Sequence, residues 1–139
     1  MTDEYLLDSN ILVYAYDTSE GEKNELAREL LEDCFRGQPF AVSLQNLTEF
    51  FNAITKRTER QISSSEAEEV IKIILEFKNF RKLIPTEQTL LRAIRLGKPG
   101  HFWDAMIAAT MLENGITHIY TENTKDFQIP GITAINPFK

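Results

Sequence analysis

Apolar residues recur along this chain at two spacings. From Glu22 to Phe35 they fall at Ala27, Leu30, Leu31, Cys34 and Phe35, the one-sided stripe of an amphipathic helix, which Gly37 stops. From Leu44 to about Arg57 the inward positions are Leu47, Phe50, Phe51 and Ile54, with Gln45, Glu49, Asn52 and Lys56 on the other face. A third helix follows a capping box at Ser65–Glu68 and turns Val70, Ile73, Ile74 and Phe77 inward. A fourth, capped by Thr86, runs through Leu90, Leu91 and Ile94 to a break at Gly97-Lys98-Pro99-Gly100. Between them lie apolar runs too short for helices, Glu4–Asp8, Phe40–Ser43, Lys82–Pro85 and Ile132–Asn136, and each predicts a strand. After the first of these, Asp8-Ser9-Asn10 N-caps a short helix through Ile11, Leu12, Tyr14 and Ala15 that ends near Asp17.

The stretch from Phe102 to Phe127 organises the rest. Asp104 opens a helix that is almost wholly apolar from Met106 to Leu112, and Asn114-Gly115 supplies a left-handed stop. Ile116–Thr121 then predicts a buried strand, followed by a polar loop holding Asn123 and Asp126. Strands separated by helices throughout imply a parallel sheet covered on both faces. The expected fold class is α/β, with four to five short strands in a single domain over residues 1–139.

Composition narrows the setting. A single cysteine, Cys34, excludes an intrachain disulfide and a Cys-rich zinc site. No apolar run approaches the ~20 residues of a membrane span, and MTDEYLLDSN lacks the features of a signal peptide. A soluble, cytoplasmic protein is expected. The net charge of −6 argues against wrapping nucleic acid through overall positive charge. It is compatible with an enzyme that gathers carboxylates around metal ions.

Four acids are candidates for that role. Asp8 ends the first strand, Glu49 lies in the helix after the second, Asp104 opens the helix before the fourth, and Asp126 lies in the loop after it. Ligands of open α/β sheets gather outside the carboxyl ends of the strands, and these acids are expected at that edge or at a helix N-terminus beside it. Taken singly, Asp8 is an N-cap, Glu49 a solvated residue, Asp104 a helix-dipole partner and Asp126 a loop residue. Their convergence points further, because clustered carboxylates repel unless a hard cation such as Mg²⁺ or Mn²⁺ neutralises them. Such ions activate water against a phosphodiester without a histidine. The only histidines are His101 and His118, the latter inside a predicted strand.

The segments DSNILVYAYD, LTEF, FWDAMIAA, IYTENTKDF and INPF, in this order, resemble the PIN-domain family. More closely, the chain is similar to the VapC-type ribonuclease toxins of bacterial toxin–antitoxin pairs. The resemblance implies a PIN-like α/β/α sandwich and a Mg²⁺- or Mn²⁺-dependent endoribonuclease. It also implies an RNA substrate, homodimerisation and inhibition by a cognate antitoxin. It carries the family's first three acids onto Asp8, Glu49 and Asp104. Its fourth falls on Asp126 or on the position of Asn123; Asp126 is taken as the ligand and Asn123 as a polar neighbour. Asn10 and Thr121 resemble the family's supporting amide and hydroxyl.

Other signals are weaker. Lys56/Arg57/Arg60, Arg81/Lys82 and Arg92/Arg95/Lys98 are basic runs that a solvated surface explains, or that an RNA track would use for phosphate contacts. Trp103 is expected to pack helix to core rather than stack on a base, and Cys34 to lie in the core. A shared dimer surface is expected on the helices from Leu26 to Phe35 and Val70 to Phe77. Two rival readings remain: a PIN scaffold that binds RNA or protein without cleaving, and a phosphoryl-accepting Asp8. The second usually wants another acid two residues on, where this chain has Asn10.

Overall fold

The structure is a computed structural model that describes residues 4–97 and 100–139. The Lys98-Pro99 part of the expected helix break, and the Lys98 end of one basic run, lie outside the described residues. The elements, in chain order, are β1 (Tyr5–Leu7), α1 (Ser9–Tyr16), α2 (Glu22–Phe35), β2 (Phe40–Ser43), α3 (Leu44–Lys56), α4 (Ser64–Glu76), β3 (Phe80–Leu83), α5 (Glu87–Leu96), α6 (Phe102–Glu113), β4 (His118–Tyr120) and β5 (Thr133–Ile135). Two short 3₁₀ turns, Thr18–Glu20 and Thr124–Phe127, complete them.

All strand pairs are parallel and the sheet order is β3-β2-β1-β4-β5. The chain winds outward from β1 in one direction and then returns to its other side through β4. The strand order therefore reverses between β1 and β4, and a crevice opens at their carboxyl ends. Alternation along the strands divides the core into two layers. Leu7, Phe40, Val42 and Phe80 pack under residues of α1 to α4, whereas Leu6, Ala41, Leu83 and Ile119 meet Ile107 and Met111 of α6. This is the expected α/β sandwich.

Several local expectations shift. β3 starts two residues earlier than Lys82–Pro85, because buried Phe80 pairs with Phe40 and Pro85 has no N–H to give a ladder. The capping box of α4 is Ser63 with Glu66, not Ser65 with Glu68. The earlier start turns Ala67, Val70, Ile71 and Ile74 toward the core and leaves Ile73 52% exposed. α5 departs most: Leu90, Leu91 and Ile94 are exposed, and its inward residues are Thr89 and Ala93. Small residues let α5 lie close against α6, where Ala93 packs with Ala105 and Ala109. A Cβ on Gly97 would come within 3.0 Å of the Ala93 carbonyl and 3.3 Å of the Ala105 methyl, so glycine eases that close approach. Cys34 is in the core as expected.

Candidate active site

Asp8 follows the last residue of β1 and caps α1, so one residue serves strand end, helix start and cleft floor. Its backbone N–H donates to the Tyr120 carbonyl at 3.0 Å, tying the ends of β1 and β4 together. The carboxylate is buried and accepts three hydrogen bonds: from Ser9 N at 2.8 Å, Asn46 Nδ2 at 3.3 Å and Thr121 Oγ1 at 2.7 Å. Asn46 is itself aimed by the capping box of α3, its Oδ1 accepting from Ser43 N and Oγ. Thr121 Oγ1 also accepts from Asn123 N at 3.1 Å and Asn10 Nδ2 at 3.4 Å. Asn10 Oδ1 takes Glu122 N at 3.3 Å. The residues expected to support Asp8, Asn10 and Thr121, are thus joined to it in one network.

Burial pushes Asp8 up to about 6; its bonds from Thr121 and Ser9 oppose this, and the charges of Glu49 and Asp104 add to it. Glu49, on the exposed face of α3, is held by Ser9 Oγ at 3.0 Å and Gln45 Nε2 at 2.9 Å. The Asp104 carboxyl is raised by burial and then by the charge of Asp126, with His101 opposing. Asp8, Glu49 and Asp104 line one cleft of about 630 Å³, together with Asn10, Tyr14, Arg57, Trp103 and Asn123. Asp126 does not line this cleft. It sits in the 3₁₀ turn after β4, lines a smaller neighbouring depression, and faces Asp104 from there. Asn123, expected as a polar neighbour of the acids, stands on the cleft wall, and Asp126, expected as the ligand, lies beside the cleft.

His101 was assigned no part by the sequence, yet its Nδ1 lies 3.8 Å from Asp104 Oδ2 and 3.9 Å from Asp126 Oδ1. One ligand atom from each of the three lies within 4.8 Å of the others. Its position three residues before Asp104 was the available signal. Ser9, Gln45 and Asn46 were also missed as supports, although each neighbours a recognisable acid or cap in the chain. His118 lies in β4 with its Nδ1 against the Thr117 hydroxyl, away from the acids. Among the basic runs, Arg81 pairs with Glu4 at 2.9 Å and Lys82 donates to the Phe77 carbonyl at 2.6 Å; Arg57 reaches the cleft. Trp103 is 66% exposed on the cleft wall, not packed into the core as expected.

The donor set suits a hard divalent cation. Asp8, Glu49 and Asp104 line a shared cleft, and none of these acids pairs with a Lys or Arg among the described residues; the ligand atoms that come within 4.8 Å of one another there are those of His101, Asp104 and Asp126. Asp126 and His101 add a further carboxylate and an imidazole beside Asp104.

The family model described as "PIN domain" matches residues 5–130. No curated protein matches the chain. Among solved structures, a toxin–antitoxin complex from Klebsiella pneumoniae shares 26% identity at a TM-score of 0.61, covering 96% of this chain and 97% of that one. VapBC2 from Rickettsia felis, bound to a DNA fragment from its promoter, shares 19% identity at 0.66, covering 96% and 98%. VapC20 of Mycobacterium tuberculosis, a toxin that cleaves the sarcin–ricin loop, shares 17% at 0.66, covering 88% and 92%.

Proposed function

Because the chain belongs to the PIN domain family, we propose that it is a metal-dependent endoribonuclease, the toxin of a toxin–antitoxin pair. The observation that carries this reading is the joining of Asp8, Glu49 and Asp104 in one cleft at the β1/β4 switch point. A bound Mg²⁺ or Mn²⁺ would supply the charge that activates water and offsets the charge building on the phosphodiester. Asp8, Glu49 and Asp104 would hold it, with Asp126 as the further acidic ligand on the Asp104 side. Thr121, Asn46 and the Ser9 N–H fix Asp8 in one orientation before any ion arrives. Ser9 and Gln45 restrain Glu49, which exposure would otherwise leave free to rotate.

We also propose that residues 1–139 form one nuclease domain working in the cytoplasm on RNA. Among the described residues no helix is long and apolar enough to cross a membrane. An antitoxin partner is supported by the toxin–antitoxin complexes among the structural neighbours. A homodimer is the remaining partner. Leu30, Phe35, Val70 and Phe77, on the helices first expected to form it, are packed against the protomer's own core, Phe35 on Phe77 at 4.8 Å. Ile73 and Leu75 of α4 stay exposed, and with the exposed row Leu90, Leu91 and Ile94 of α5 they are the apolar surface we assign to a second copy.

The test is incubation of a generic RNA with purified protein and Mg²⁺, followed by analysis of the new ends. Attack by water leaves a phosphate monoester; a 2′,3′-cyclic phosphate would reveal attack by the 2′-hydroxyl and contradict the mechanism. RNA that is bound and returned intact would favour the non-cleaving scaffold.

A further inference from the structure

The cleft carries two side chains that the acids do not need. Trp103 is 66% exposed on its wall, and its aromatic contact is an edge-on one with Phe102 at 5.3 Å. Its backbone is nevertheless anchored: Gln45 Nε2 donates to the Trp103 carbonyl at 3.1 Å while also holding Glu49 at 2.9 Å. The Trp103 backbone, next to Asp104 in the chain, is therefore tied to the same amide that holds Glu49. Arg57, the C-cap of α3, is exposed and makes no ion pair among the described residues. It is the only Lys or Arg among the residues lining the cleft. Gln45 and Arg57 lie about 18 Å apart along the helix axis at a rise of ~1.5 Å per residue, with Glu49 between them. An aromatic platform thus stands at one end of the acidic cluster and a guanidinium at the other.

We propose that these two groups form a subsite for single-stranded RNA, a base stacking on Trp103 and a phosphate beyond Glu49 resting on Arg57. The inference rests on the ribonuclease reading above. A base can stack on a side chain only when it is free of its own duplex, so the subsite selects unpaired RNA and reads little sequence. Arginine matches a phosphate geometrically and positions the strand without specifying it. With a net charge of −6 the protein gains nothing from an overall attractive field. Stacking must then carry much of the affinity, and a single phosphate contact gives a shallow salt dependence.

Trp103 is the chain's only tryptophan, so its fluorescence reports this one position. The experiment titrates a ten-nucleotide oligoadenylate, with Mg²⁺, into protein carrying Asp8→Asn to prevent cleavage, and follows quenching alongside anisotropy of a labelled strand. Saturable quenching is expected, with a hairpin duplex giving little. Trp103→Leu should weaken binding roughly five- to a hundredfold, and Trp103→Phe should recover part of it. Arg57→Gln should weaken binding and lower the slope of log affinity against log salt by about 0.7, while quenching at saturation persists. Unchanged binding in Trp103→Leu, or no quenching, overturns the subsite. If the parent protein still cleaves RNA with metal, that failure belongs to the subsite alone. If it neither binds nor cleaves RNA, the ribonuclease reading falls and the subsite with it. A Trp103→Leu effect confined to sedimentation of the RNA-free protein would make the indole a subunit contact and overturn the proposal.

Discussion

Asp8 and Asp126 are both coupled to Asp104, and the fold supports them in opposite ways. Asp8 ends the central strand, is buried, and has three donors on its carboxylate. Asp126 rides on a 3₁₀ turn, is partly exposed, and has His101 Nδ1 as its side-chain neighbour at 3.9 Å. One acid is placed by the sheet before anything binds, at the cost of a carboxyl pushed up to about 6. The other is placed by a loop and can adjust. Asp104 stands between the two: the charge of Asp126 helps raise its carboxyl, and its own charge helps raise Asp8.

That contrast can be broken at its shared member first. Asp104→Asn should lower RNA cleavage by about a hundred- to a thousandfold, the scale of losing one group that stabilises transition-state charge. Its metal-free melting temperature should hold or rise, since a repelling charge is removed. A large drop in melting temperature without metal would make Asp104 a structural cap instead.

On the adjustable side, Asp126→Ala should weaken Mn²⁺ binding by about 10–100-fold and cut cleavage with it. Asn123→Ala, which removes an uncharged group from the cleft wall, should have the milder effect. Calorimetric Mn²⁺ titrations paired with cleavage assays read both. A silent Asp126→Ala with an inactive Asn123→Ala would reverse the assignment of the fourth position.

On the fixed side the expected effect is on stability. The folded-state carboxyl of Asp8, near 6, lies above an unfolded value of about 3.9, so the folded protein holds that proton more tightly. The stability this confers is complete below the unfolded value and is lost as pH rises through 6. Relative to Asp8→Asn, the metal-free parent should therefore lose about 2–3 kcal/mol between pH 4 and pH 8. Denaturant melts of both proteins across that range test it, and a gap that does not change with pH refutes it. The smallest effect expected is that of Thr121→Val, which removes the donor that most opposes the rise of Asp8. It should cost about 1.5–3 kcal/mol near pH 8 and less below pH 5, where Asp8 is protonated, with Thr121→Ser close to the parent.

What the sequence made legible follows the same division. Where a residue's role is set by the strand–helix frame, periodicity was enough: α2 runs over its expected residues, Asp8 caps α1, and the parallel sheet follows from alternation. The pattern failed where packing depends on small residues. Leu90, Leu91 and Ile94 look like a core stripe, yet α5 turns Ala93 and Thr89 inward because only they let it approach α6. At the site, the acids stood out by their expected convergence on one sheet edge, and Thr121 only through the resemblance to the PIN-domain family. Gln45, Ser9 and Asn46 were not, since amides and hydroxyls at helix starts are common and only contacts distant in sequence reveal what they hold. Trp103 was misjudged because hydrophobicity alone cannot tell a buried ring from one standing in a cleft.

The most direct measurement is cleavage of a short RNA by protein stripped with chelator, before and after Mg²⁺ or Mn²⁺ is restored, run beside Asp8→Asn. On the proposed mechanism the stripped parent does not cleave, either ion restores cleavage, and Asp8→Asn stays inactive under every condition. Cleavage that survives chelation, or that Asp8→Asn retains in full, would contradict it.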